Sequence, residues 1–195
     1  MESIERPIVD MVPNAGAAHQ HRYIAYALVM NTNAQAIAVI TTGGTIDKAY
    51  FDALSEYQIG ESVIGRLLAM AQVTQTFRII ELLRKDSLEL TDADRVTLRE
   101  TIEALPERRV VITHGTDTMT QSADALTAVK EKTIVLTGAL APARFAESDA
   151  PFNLGMAFAA VQCLANGVYL AMNGQVFAAG HVRKDRNNTR FVSTD

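Results

Sequence analysis

The run Val110-Val111-Ile112-Thr113 is apolar and β-branched, stops at His114-Gly115, and is followed at once by Thr116, Asp117 and Thr118. Behind these small polar residues, Met119 to Lys130 carries Ala123, Leu126, Ala128 and Val129 as its apolar positions and reads as a helix. A buried strand that breaks at glycine and turns into a helix delivers its polar residues to the C-terminal edge of a sheet. Open α/β sheets bind ligands at that edge, and helix N-termini offer free N–H groups to anions. This order of parts makes Thr116 and Asp117 candidate site residues and asks the rest of the chain for the other walls.

Four further segments follow the same plan. Ala36 to Thr42 is a continuous apolar and β-branched run ending in Thr42-Gly43-Gly44-Thr45-Ile46-Asp47, where glycine permits close approach to a ligand. The polar stretch from Ala49 to Gly60, with Tyr50, Phe51 and Tyr57, reads as a loop over that strand end. Glu61 to Gln72 is a helix by the spacing of Val63, Ile64, Leu67, Leu68 and Ala71. Phe77 to Leu83 is the second strand, followed by Arg84-Lys85-Asp86-Ser87. Thr91 is the expected N-cap, with Asp94 three residues later, of a helix running to about Ala104. Thr133 to Thr137 is the fourth strand, then comes a helix from Phe152 to about Ala165, and Gly167 to Met172 is the fifth strand. Asn173-Gly174 predicts a tight turn that returns Gln175 to Val182 beside it.

Strands alternating with helices predict an α/β fold: a single-domain, three-layer, doubly wound, mostly parallel sheet in the flavodoxin-like order 2-1-3-4-5. In that order the turns at Thr45 and Thr116 face each other across one crevice. Residues 1–35, broken by Pro7, Pro13, Asn14 and Gly16 with a short helical pattern from Tyr23 to Met30, read as an N-terminal extension to a domain spanning 36–195.

The 195 residues carry a formal net charge of −4 with no basic block, which argues against nucleic acid as partner. A single cysteine, Cys163, excludes a disulfide framework within the chain and suits a reducing cytoplasm; its Ala-rich surroundings predict a buried structural thiol. No apolar run reaches the length of a membrane span, and the acidic start at Glu2 and Glu5 does not read as a secretory signal, so a soluble, cytoplasmic protein is expected. His19 and His21 lack a carboxylate or thiol companion and read as a surface pair; no metal or cofactor is expected.

No Gly-x-Ser-x-Gly elbow, Walker A loop or dinucleotide-binding glycine pattern is present. What remains is threonine at two strand ends, with Ser87, Asp117 and Lys184 to serve it. A threonine hydroxyl is a poor nucleophile until something takes its proton. His114, Asp117, Tyr57 and Lys184 are the candidates, and His114, inside the strand, reads as a core histidine bonded to a neighbour. Pattern alone leaves bland readings open. Threonine after glycine often caps a helix, and Arg183-Lys184-Asp185-Arg186 resembles a solvated charge run.

Taken together, the motifs resemble those of the bacterial-type L-asparaginases, the family that includes glutaminase-asparaginases. Thr42-Gly43-Gly44-Thr45-Ile46 matches its first signature, and His114-Gly115-Thr116-Asp117-Thr118-Met119 its second. Gly138-Ala139 and Asp149-Ala150-Pro151-Phe152-Asn153-Leu154 resemble later segments. The likeness runs from about Ala36 to the end of the chain. It implies hydrolysis of L-asparagine to L-aspartate and ammonia through a threonine acyl-enzyme. Thr45 would be the nucleophile and Tyr57 its activating neighbour, with Thr116, Asp117 and Lys184 as a second catalytic group. Gly44, Ser87, Thr116, Asp117 and Ala139 would bind substrate, Asp117 holding the α-amino group and Ser87 the α-carboxylate. Glutaminase or other amidase action, or amino-acid binding without turnover, are the alternatives.

Three departures from the family pattern stand out. Ser87 is followed by Leu88 where the family has a hydrogen-bonding side chain, with Glu89 as a possible substitute. Asp47-Lys48 replaces a loop glycine. The chain looks like a short form without the family's C-terminal domain, so a homo-oligomer, dimer or tetramer, is expected to complete the site.

Overall fold

The computed structural model describes residues 36–51 and 56–194. The expected N-terminal extension, with its helical pattern at Tyr23–Met30 and the His19/His21 pair, lies outside them. Strands β1 (Ile37–Gly43), β4 (Phe77–Lys85), β5 (Arg109–Thr113), β6 (Thr133–Thr137), β7 (Gly167–Met172) and β8 (Gln175–Ala178) form one sheet in the order β4-β1-β5-β6-β7-β8. The first five are parallel and β8 is antiparallel to β7. Counted by themselves, the five parallel strands stand in the order 2-1-3-4-5. The expected fold is present, with β8 added at its edge.

Alternation along the strands builds two cores. Ala38, Ile40, Val110, Ile112, Ile134 and Leu136 face one layer, where α2 (Asp92–Ala104) contributes Leu98 and Ile102 and α3 (Met119–Leu126) contributes Met119, Ala123 and Leu126. Ile37, Val39, Val111 and Val135 face the other, against Ile64, Leu67 and Leu68 of α1 (Ile64–Met70) and Leu154, Ala157 and Phe158 of α4 (Ala150–Cys163). Side chains on a strand alternate faces, so strands with both faces buried read as unbroken apolar runs.

The structure corrects several local expectations. The stretch expected to be a loop from Ala49 to Gly60 contains two antiparallel strands, β2 (Lys48–Phe51) and β3 (Glu56–Ile59), in register Lys48 to Ile59. α1 is shorter than the 61–72 pattern because Asp47 and Ser62 accept the N–H groups of Val63 and Ile64 and set its start. α3 ends at Leu126 rather than Lys130, and Ala128 is exposed there. Asn173 and Gly174, both with positive φ, make the expected tight turn, but its second strand stops at Ala178. Beyond it β9 (Val182–Asp185) and β10 (Arg190–Ser193) pair antiparallel, an element the sequence reading did not contain. Cys163 is exposed, not buried, because the last residue of α4 turns to the solvent side.

Candidate active site

Three turns meet at the C-terminal edge of the sheet. Gly44, after β1, has φ 87°, and a Cβ built on it would lie 2.4 Å from the backbone N of Gly115, after β5. No side chain fits between these backbones, so the turn carrying Thr45 is packed directly on the turn carrying Thr116. A Cβ on Gly115 would in turn fall 2.6 Å from Cβ of Ser87, after β4. Ser87 is buried; its Oγ accepts the N–H of Asp117 at 3.3 Å, and its carbonyl accepts the Thr118 hydroxyl at 2.7 Å. The Thr42 hydroxyl donates to the Thr113 carbonyl at 3.0 Å and fastens the ends of β1 and β5 together.

Thr116, Asp117 and Lys184 form one cluster. Lys184, on β9, donates from Nζ to Oγ1 of Thr116 at 2.7 Å and to Oδ1 of Asp117 at 2.9 Å. Its side chain is 15% exposed, so it is not part of a solvated charge run. The N-cap of α3 is Thr118, with no side-chain cap bond, and neither Thr116 nor Asp117 is spent on capping. Arg186, in the turn just after β9, brings its guanidinium to 4.0 Å from Asp117.

Thr45 opens a short 3-10 turn (Thr45–Asp47), again without a side-chain cap bond. Directly after it, Asp47 is buried and accepts the Val63 N–H at 2.9 Å, while its carbonyl accepts the Gly60 N–H at 3.0 Å. Burial pushes its carboxyl up to about 6, against the opposing pull of the Val63 N–H and the Ser62 hydroxyl. Lys48 pairs with Asp86 at 2.9 Å. Burial works against the charged Asp86, yet Lys48 and the Leu88 N–H hold its carboxyl below the ordinary value. The Asp47-Lys48 pair therefore ties the β2–β3 ribbon both to the start of α1 and to the Ser87 turn. Tyr57, on β3, stands edge-on to Phe145 with ring centres 6.0 Å apart. Together with Thr45, Lys48 and Pro142 they line an open cleft of about 270 Å³. A larger hollow of about 470 Å³, near Val73 and Phe158, has no ionisable lining residue among the described residues.

Ala139 is buried at the end of β6. The Asp149–Leu154 segment explains its placement. Asp149 accepts the N–H groups of Leu140 and Ala141, each at 3.0 Å, and Asn153 bridges Asp149 and the Gly138 carbonyl. These two side chains were legible only as part of a motif; their work is to hold the loop that carries Ala139 and Pro142. His114 is fully buried and donates from Nδ1 to the Gly115 carbonyl at 2.7 Å, as expected of a core histidine. Burial drops its pKa to about 4, so the ring is neutral near pH 7. Glu89, offered as a stand-in for the polar group lost at Leu88, accepts the Asp86 N–H in a capping box. Leu88 itself is exposed. Among the described residues no group of three or more His, Cys, Asp or Glu could hold a metal ion.

A doubly wound sheet with threonines at two adjoining strand ends, one bonded to a lysine, defines the class of fold and site. The asparaginase N-terminal domain family matches residues 36–192, and the chain belongs to that family. L-asparaginase 2 of Escherichia coli is 33% identical over 184 residues, 86% of this chain and 52% of that protein. Glutaminase-asparaginase of Acinetobacter glutaminasificans is 33% identical over 165 residues, 77% of this chain and 50% of that protein. The probable cytoplasmic L-asparaginase of Campylobacter jejuni superimposes with a TM-score of 0.69 at 30% identity, covering 82% of this chain and 51% of that one. The chain thus spans about half the length of the relatives it matches.

Proposed function

We propose that the chain is an amidohydrolase that converts L-asparagine to L-aspartate and ammonia through an acyl-enzyme on Thr45. The observation that carries this reading is the contact of Lys184 Nζ with Thr116 Oγ1 at 2.7 Å, beside a turn packed on that of Thr45. That distance lies within the range for proton transfer between heavy atoms. Thr45 attacks the side-chain amide, with Tyr57 as its neighbour across the cleft. Thr116, Asp117 and Lys184 relay the proton. Asp117 holds the substrate's ammonium group, and Ser87 donates its hydroxyl to the α-carboxylate, leaving its oxygen to the Asp117 N–H. Gly44 and Ala139 supply backbone walls.

Ammonia release measured over a wide range of L-asparagine and L-glutamine tests the proposal. Turnover of asparagine is expected, falling by about a thousandfold or more in Thr45→Ala and Thr116→Ala, as loss of a nucleophile or its relay does. Undiminished rates in both variants would sink it, and calorimetric binding without turnover would favour an amino-acid-binding domain. Two relatives are named glutaminase-asparaginase, so glutamine is the competing substrate. The extra methylene shifts kcat/KM by about 10–200-fold in a tight pocket, which decides between them.

The same reading places the protein in the cytoplasm as a homo-oligomer. The name of the Campylobacter neighbour supports the compartment. No described helix is long and apolar enough to cross a membrane. Phe152 at 64% exposure and Val176 at 42% leave apolar surface that a second copy would cover. Light scattering giving a monomer mass at micromolar concentration would overturn the oligomer.

A further inference from the structure

We propose that the cleft in front of Thr45 is a leaving-group subsite, so that amides bearing an apolar, ring-sized substituent on nitrogen are substrates alongside primary amides. This rests on the hydrolase reading above and extends it to a substrate class.

Thr45 lines the cleft, whereas Ser87, Thr116 and Asp117 do not. With the substrate's α-carboxylate at Ser87, its ammonium at Asp117 and its carbonyl at Thr45 Oγ, the space beyond Thr45 lies where the amide nitrogen departs. Ammonia needs no room of about 270 Å³. The walls are aromatic: Tyr57 and Phe145 meet edge-on at 69° and remain 52% and 46% exposed. Single exposed aromatics are ordinary, but a pair bordering a nucleophile has the composition of a ligand wall. Lys48, the charged member of the lining, has its ammonium paired to Asp86 at 2.9 Å, so its charge is matched. Among the described residues no acidic one lines the space.

The far wall is built rather than loose. Phe145 N–H donates to the Pro142 carbonyl at 2.9 Å, Ala143 N–H to the Ile46 carbonyl at 3.1 Å, and Ala141 N–H to Asp149 at 3.0 Å. The wall is therefore hydrogen-bonded to the turn that carries Thr45. In the reaction, Thr45 Oγ bonds to the amide carbon and the C–N bond breaks. The amine leaves with the proton released by the hydroxyl. Water then cleaves the ester, giving the free acid and restoring the threonine.

The experiment compares L-asparagine with L-aspartic acid β-anilide on the full chain, following ammonia and aniline. The anilide is expected to reach a kcat/KM within about tenfold of asparagine. Phe145→Ala is expected to lower the ratio of anilide to asparagine kcat/KM by about tenfold, and Phe145→Leu, which keeps an apolar wall, to restore most of it. Calorimetry on Thr45→Ala should show the anilide binding more tightly than asparagine. Hydrolysis of asparagine with the anilide more than tenfold slower, or a ratio unmoved in Phe145→Ala, overturns the subsite and leaves the asparaginase reading standing. Failure of both amides to react removes the hydrolase reading and this proposal with it.

Discussion

Lys184 reaches two acceptors with one ammonium, the hydroxyl of Thr116 and the carboxylate of Asp117. Lys184→Met keeps the length of the stem and removes the charge. We expect kcat/KM for asparagine to fall by at least about a hundredfold, the usual range for losing a positioned proton carrier, with the circular dichroism spectrum unchanged. Gly44 is constrained by backbone alone. Gly44→Ala would force a Cβ to 2.4 Å from Gly115 at a φ of 87°. Denaturant unfolding should show a loss of about 2–4 kcal/mol. At this scale the motifs made the candidate site legible, since Thr45, Thr116, Asp117 and Ser87 lie in short stretches of recognisable type. Lys184 was a candidate from pattern but not separable there from a solvated charge run, because its charged neighbours hide a side chain whose burial is decided far away. Cys163 misled for the opposite reason: apolar neighbours on a helix do not fix which side the last residue faces.

Among the elements, α2 begins with a reciprocal cap in which Thr91 Oγ accepts the Asp94 N–H and Asp94 accepts the Thr91 N–H. Thr91→Ala should cost about 1 kcal/mol in thermal or denaturant unfolding while asparagine turnover is kept. The β6–α4 connection is held differently, by one carboxylate taking two N–H groups. Asp149→Ala leaves the Leu140 and Ala141 N–H groups without that acceptor. It should destabilise by about 1–3 kcal/mol and raise KM as the Ala139 wall loosens. The parallel strands were legible because burial on both faces makes them continuous apolar runs. β2, β3, β9 and β10 were not, because each is only four residues long and pairs outside the main sheet. In β9 and β10 only Val182 and Phe191 are buried, too few to show a period.

For the molecule as a whole, two buried groups oppose each other across mildly acidic pH. The Asp47 carboxyl has a folded-state pKa of about 6 against 3.8. Its protonated form suits the fold, so its contribution is complete below 3.8 and is lost as pH rises through about 6. The His114 imidazole has a folded-state pKa of about 4 against 6.5. Its neutral form suits the fold, so its contribution is complete above 6.5 and is lost as pH falls towards 4. Each amounts to roughly 3 kcal/mol, and between pH 4 and 6 the two slopes offset. Asp47→Asn keeps a carbonyl acceptor for the Val63 N–H and removes the titration. Its unfolding free energy should rise steeply with pH from about 4 to 6.5, where the parent protein's changes little over that interval. Equal slopes in the two proteins would refute the pairing. The sequence showed the order of the sheet and which turns face each other, but not this balance. It depends on how deeply two polar side chains are packed, and no pattern of neighbours along the chain reports that.

Lys184 is delivered by a ribbon that pairs with nothing in the main sheet and lies 68 residues beyond the threonine it serves. During synthesis the strands bearing Thr45 and Thr116 therefore leave the ribosome well before the lysine does. Val182 and Phe191 of that ribbon are buried in the same core as β1 and β5, so the packing of the sheet is finished and the lysine delivered together. Under the proposed mechanism, the threonines therefore wait on the β9–β10 ribbon before they can act.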